Sequence, residues 1–143
     1  MQRGMPLKQG PRNHGELVAW QLCAHLRRLV WDATREGPAK EDRRYCDQVR
    51  SAARSACYLT SEGFYRTREG DFLNCLITAR TSLAEVEEYL ERGLEKEYFT
   101  ALDYGALKEA LVRASGANRR LRDSLRTKSM AAQDARRKAQ RRV

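Results

Sequence analysis

The feature that most constrains the fold is a run of apolar residues that recurs in alternating steps of four and three between positions 70 and 96. The recurring positions are Phe72, Leu76, Ala79, Leu83, Val86 and Leu90. This spacing places their side chains on one face of an α-helix, in a pattern typical of helices that pack against other helices. The chain is therefore predicted to contain a long amphipathic helix that needs helical partners.

Comparable apolar stripes predict three further helices. The four predicted helices span residues 13–37, 41–64, 70–96 and 101–125. The composition agrees with them, because the 143 residues include only 9 Gly and 3 Pro and strand-forming alternation is nearly absent. A chain of this length has room for one domain. We predict an all-α bundle over residues 14–126, a flexible N-terminal segment, residues 1–13, and a basic tail, residues 127–143.

Capping residues mark two of the predicted helix starts. Asn13 with Glu16 resembles a capping box at the first helix, and Thr100 with Asp103 forms an N-cap at the fourth. Asn118 falls on the apolar stripe of the fourth helix. Two interpretations of it stay open: a buried polar residue that selects register or oligomer order, or a partly exposed amide.

Two of the predicted helices have unusual faces. The middle of the second, residues 51–57, is crowded with small side chains, so a neighbouring helix can approach closely. The first has two apolar stripes on nearly opposite sides, and the second stripe contains Leu17, Trp20 and Trp31. Because a single bundle buries only one such stripe well, we expect a homo-oligomer with these three residues at the subunit interface.

Positive charge is concentrated at the C-terminal end of the chain. The net charge is +9, and residues 119–143 contribute ten Lys or Arg against two Asp, a net of +8. The rest of the chain is therefore nearly neutral. Such a strip suits the phosphate backbone of RNA or DNA. The predicted nucleic-acid-binding residues are Arg119, Arg120, Arg122, Arg126, Lys128, Arg136, Arg137, Lys138, Arg141 and Arg142.

The conformation and role of this basic strip have alternatives. No aromatic residue lies in residues 119–143, so base stacking and sequence reading are not expected from it. After Leu125 the apolar periodicity fades, and the segment is either a helical extension or disordered. The competing interpretation of its charge is a solubilising end without a ligand.

The sequence patterns of common enzymes are not found. The chain has no phosphate-binding Gly-rich loop, no H-E-x-x-H and no G-x-S-x-G motif. A row of glutamates between Glu85 and Glu95 lacks the Glu-x-x-His motifs of metal sites in helical bundles, and the only histidines are His14 and His25. The glutamates are interpreted as a solvated helix face. No catalytic residue, metal site or cofactor is predicted.

The expected location is the cytoplasm. The four cysteines form no C-x-x-C pair, and reduced thiols are the simplest interpretation. No signal peptide is recognised at the start of the sequence, and no apolar run approaches the length of a membrane span. No membrane partner is therefore expected.

Three helical stretches are similar to the motifs of a known family. They are Trp20-Gln21 in the first helix, residues 50–53 (RSAA) with 61–64 (SEGF) in the second, and residues 71–73 (DFL) with 82–86 (SLAEV) in the third. In order and spacing they resemble the small proteins encoded within intervening sequences of bacterial 23S ribosomal RNA. The relatives of those proteins include the accessory variability proteins of diversity-generating retroelements. The resemblance covers about residues 16–126.

The resemblance implies an antiparallel up-down four-helix bundle that assembles into a ring-like homopentamer without a catalytic site. In the retroelement branch, the ring partners a reverse transcriptase and its template RNA. Two functions are therefore considered. The first is a non-catalytic, oligomeric accessory protein that holds nucleic acid while a partner enzyme performs the chemistry. The alternative is a protein-protein scaffold that binds no nucleic acid.

Overall fold

The computed structural model describes residues 10–142, and within that range the chain forms four long helices and no strand. They are α1 (Val18–Thr34), α2 (Arg43–Phe64), α3 (Glu69–Glu95) and α4 (Ala101–Arg141). Short 3-10 turns, His14–Glu16 and Pro38–Glu41, precede α1 and α2. The predicted all-α class is confirmed. Residues 1–9, which make up most of the predicted N-terminal segment, lie outside the described residues.

Local hydrogen bonds explain where the helices begin. The hydroxyl oxygen of Thr100 accepts a hydrogen bond of 3.1 Å from the backbone N–H of Asp103, which confirms the predicted cap of α4. Asp42 caps α2 in the same way, accepting from the N–H of Tyr45 at 3.1 Å. These side chains satisfy N–H groups that have no partner inside the helix.

The predicted start of the first helix at Asn13 is wrong. The side chain of Asn13 makes no capping bond, and the carboxylate of Glu16 accepts instead from the backbone N–H of Arg12 at 2.9 Å. Residues 14–16 consequently form a separate 3-10 turn, and Leu17 follows in an extended conformation. Helix α1 therefore begins only at Val18.

Each long helix packs against two others. Helix α1 contacts α2 and α4, and α3 contacts the same two helices. The buried small side chains of α2 include Ala52, Ala53 and Ala56, in agreement with the predicted close-packed face. At the end of α2, a methyl group added to Gly63 would lie 2.7 Å from Cβ of Cys75 and would meet the ring of Phe72. Only glycine therefore permits the observed approach of α2 to α3.

One polar pair lies inside the bundle, between α3 and α4. Asn118 is 2% exposed, and its amide nitrogen donates a hydrogen bond of 3.0 Å to the backbone carbonyl of Leu76. Its amide oxygen accepts from Nε of Arg122 at 2.8 Å. The interpretation of Asn118 as a partly exposed amide is therefore wrong. Asn118 is a buried polar residue, as the other interpretation requires.

A candidate nucleic-acid interface

The basic C-terminal segment is helical within the described residues. Helix α4 continues without interruption to Arg141, and its last buried residue is Leu125. From Arg126 to Arg142 every residue is exposed except Ser129, which is half-buried. Of the two predicted alternatives, the helical extension is therefore the one observed. Its polar composition explains why it adds nothing to the core.

The helical period sorts the predicted phosphate contacts into two groups. At 3.6 residues per turn, four arginines fall within a sector of about 60° on one side of α4. We call them the arginine stripe: Arg119, Arg126, Arg137 and Arg141. Five other basic residues lie about 100° or more around the helix from Arg119. They are Arg120, Lys128, Arg136, Lys138 and Arg142.

The arginine stripe begins beside a groove between α3 and α4. The groove has a volume of about 730 Å³, and its basic lining includes Arg80 from α3 with Arg119 and Arg126 from α4. Asp123 lies 3.8 Å from the guanidinium of Arg126, but both side chains are about half exposed. Such pairs contribute little in water. The groove therefore keeps a net positive character that an anion could neutralise.

Arg122 differs from the other predicted phosphate contacts. It is only 6% exposed and its Nε is engaged by Asn118, so it does not belong to the exposed set that the sequence predicts. Burial lowers the pKa of Arg122, and the nearby charges of Arg80 and Arg126 lower it further. Repulsion among these guanidinium groups would be relieved by an anion in the groove.

The acidic face of α3 is partly neutralised by α4. Lys108 lies 2.8 Å from a carboxylate oxygen of Glu91 and 3.6 Å from one of Glu87. The hydroxyl of Tyr104 also donates to Glu91, at 2.8 Å. The hydrogen bonds from Lys108 and Tyr104 lower the pKa of Glu91. All five glutamates of this row are exposed, in agreement with the predicted solvated face: Glu85, Glu87, Glu88, Glu91 and Glu95.

A second basic groove lies between α1 and α2, and the sequence interpretation missed it. It has a volume of about 480 Å³. It is lined by Trp20, Ala24, Arg27, Arg28, Trp31, Arg50 and Arg54. Arginines from two helices meet here although they are far apart in the sequence. The sequence does contain a signal for this groove. Arg27 and Arg28 lie next to the apolar stripe that contains Trp20 and Trp31, and Arg50 and Arg54 lie one turn apart on the next helix.

The three residues predicted at a subunit interface have different environments. Leu17 is 7% exposed, so its side chain is buried within the single chain and it cannot form an exposed contact surface as predicted. Trp20 is half-buried, with its ring edge to face against His14 at 4.8 Å between centroids. Trp31 is 50% exposed. A subunit contact at Trp20 or Trp31 stays a prediction.

The described residues contain no group of three or more His, Cys, Asp or Glu side chains arranged to hold a metal ion. All four cysteines, which lie in this part of the chain, are unpaired thiols. Burial raises the pKa of Cys23 to about 12 and that of Cys57 to about 11. Across residues 10–142, no helix is both long and apolar enough to cross a bilayer.

The fold and these grooves define a small all-helical domain with two arginine-lined surfaces. The family model described as 23S rRNA-intervening sequence protein matches residues 15–117, and the chain belongs to this family. The matched region ends inside α4, before the first residue of the arginine stripe. A comparison with curated proteins gives no match for the chain.

Proposed function

We propose that the protein is a non-catalytic, homo-oligomeric accessory protein that holds RNA or DNA by its phosphate backbone. The observation that carries this proposal is the alignment of Arg119, Arg126, Arg137 and Arg141 along one side of an exposed helix. Guanidinium groups donate paired hydrogen bonds that match phosphate geometry, and their charge releases condensed counterions from the nucleic acid.

The dimensions of the arginine stripe fit an extended polyanion. At about 1.5 Å per residue, the stripe spans roughly 33 Å from Arg119 to Arg141. This length is comparable to about ten base pairs of duplex at 3.4 Å each. The groove beside Arg80 extends the positive surface onto α3. Because the segment after Leu125 carries no aromatic side chain, we infer that it binds the backbone without reading sequence.

We further propose that the four helices form an antiparallel up-down bundle, as the family resemblance implies. Contacts between the start of one helix and the end of the next support it. His14, before α1, hydrogen-bonds the hydroxyl of Tyr65 after α2 at 2.9 Å. Tyr45 near the start of α2 donates to the carbonyl of Tyr89 near the end of α3. This arrangement leaves α4 running back along α1 and α3 before it extends past them.

Self-association is the second part of the proposal. The homopentameric ring implied by the resemblance would bring several arginine stripes together, and their combined binding would exceed that of one copy. In the retroelement branch of the family, such a ring works beside a reverse transcriptase on template RNA, and a partner of this class is proposed here. Light scattering of the full chain should give an oligomer, and a stable monomer at micromolar concentration would contradict this part.

Deleting the chain after Arg126 tests the nucleic-acid proposal. The truncated protein keeps every buried residue of α4, so its melting temperature and its number of subunits in light scattering should match those of the full chain, while its helical circular-dichroism signal falls only by the residues removed. Its affinity for a generic RNA should fall. Equal affinities for the two proteins would remove the C-terminal segment from the binding surface. No binding by either protein would favour the alternative, a protein-protein scaffold.

A further inference from the structure

The groove between α1 and α2 combines two kinds of chemistry on one surface. It holds both tryptophans of the chain and four arginines, and no carboxylate lines it among the described residues. Arg27, Arg28 and Arg54 are exposed. An occupant that is both anionic and planar-aromatic would match both parts of this lining. A nucleotide unit has both properties, because its phosphate is charged and its base has a flat face.

The aromatic part of the groove is already ordered. The guanidinium carbon of Arg50 lies 4.2 Å from the centroid of the Trp31 ring, in a cation–π contact. Nε of Arg50 donates to the hydroxyl of Thr34 at 2.8 Å, and that hydroxyl donates to the carbonyl of Val30 at 2.7 Å. Thr34 is itself 1% exposed. The Trp31–Arg50 pair is therefore held from inside the bundle and presents a fixed flat surface to solvent.

We propose that this groove binds single-stranded nucleic acid, with a base stacked against the Trp31–Arg50 pair and the adjoining phosphates paired to Arg27, Arg28 and Arg54. A single strand is specified because the bases of a duplex are already stacked on one another and cannot reach the tryptophan. The inference rests on the proposed function and gives it a second surface, on a different pair of helices from the arginine stripe.

Symmetric self-association fits this groove less well than a nucleic acid does. If the groove met the same groove of a second copy, the four arginines of one would face the four of the other. Like charges brought together away from water are strongly unfavourable. A head-to-tail contact with the acidic face of α3, such as Glu88, avoids that repulsion, and the test below separates it from nucleic-acid binding.

The test compares a dye-labelled oligo-dT of about 15 nucleotides, near the upper site size of single-strand binders, with a blunt duplex of the same length. The Trp31→Ala substitution should weaken binding of the single strand about tenfold, since loss of one stacked base has roughly this effect, and should leave duplex binding unchanged. Tyr58→Ala is the matched control, because Tyr58 is an exposed aromatic residue of α2 outside the groove. It should alter neither affinity.

A second readout does not depend on how the alanine variant folds. In the Trp20→Phe variant, Trp31 is the only tryptophan, and its fluorescence should be quenched when oligo-dT binds. Unquenched fluorescence with bound oligo-dT would overturn the inference. It would also be overturned if Trp31→Ala dissociated the oligomer in light scattering while single-strand affinity stayed the same. A wrong assignment of the arginine stripe would give a different result, because duplex binding would then persist after the chain is truncated at Arg126.

Discussion

The side-chain amide of Asn118 donates a hydrogen bond of 3.0 Å to the backbone carbonyl of Leu76, and this bond ties α4 to α3 inside the bundle. The other end of the amide accepts from Arg122, whose guanidinium forms part of the basic groove. The interior of the bundle therefore fixes the groove beside the arginine stripe. Asn118 lies between the core and the proposed binding surface.

Replacing Asn118 with Ala should lower the free energy of unfolding by about 1–3 kcal/mol, because the buried Nε of Arg122 loses its acceptor. Urea denaturation monitored by circular dichroism measures this difference. The control is Ser115→Ala, an exposed position on the same helix, which should change stability by less than about 0.5 kcal/mol. Equal stability of the two variants would show that the Asn118 hydrogen bonds contribute nothing net.

Gly93→Ala should destabilise the fold even though alanine is the better helix former. A methyl group at Gly93 would collide with the ring of Phe99 and the hydroxyl of Tyr45. Such overpacking costs about 1–3 kcal/mol. Gly105→Ala is the matched control in α4, where the added methyl meets open space, and it should stabilise by about 0.5–1 kcal/mol. Melting temperatures that rise for both variants would contradict the close packing at Gly93.

The helices could be predicted from the sequence because their causes are local. The apolar spacing from Phe72 to Leu90 and the cap at Thr100 act within a few turns, and the observed helices agree with both. The start of α1 could not be predicted from the sequence. The spacing of Asn13 and Glu16 is typical of a capping box, but in the folded chain Glu16 accepts a hydrogen bond from Arg12 instead. Only the folded arrangement decides between two such local bonds.

The candidate binding sites could be predicted from the sequence less completely than the helices. The contiguous charge after Arg119 is visible as a strip in the sequence, but the burial of Arg122 depends on its hydrogen bond to Asn118, which is itself held by the carbonyl of Leu76 on α3. The groove around Trp31 requires the register between α1 and α2, which brings Arg50 over the indole ring. Contacts between helices distant in sequence set that register, and no single stretch of the chain encodes it.

Alkylation should follow the burial of the thiols. Because burial raises the pKa of Cys23 to about 12, its reactive thiolate forms only at strongly alkaline pH, and the charge of Cys57 raises that pKa further. Cys75 is half-buried and more accessible. Iodoacetamide at pH about 8 should therefore label Cys75 first and Cys23 last, as measured by mass spectrometry. Rapid labelling of Cys23 in the folded protein would contradict its burial.

The most direct test of the central claim is the dependence of nucleic-acid affinity on salt for two variants of equal charge. One replaces the arginine stripe, Arg119, Arg126, Arg137 and Arg141, with Gln, and the other replaces Arg120, Lys128, Lys138 and Arg142 with Gln. Each phosphate contact contributes about −0.7 to −0.9 to the slope of log affinity against log salt. The first variant should therefore bind duplex DNA with a slope shallower by about 3 units, and the second should stay close to the unmodified protein. Equal slopes for the two variants would contradict the claim that one side of α4 holds the phosphate backbone.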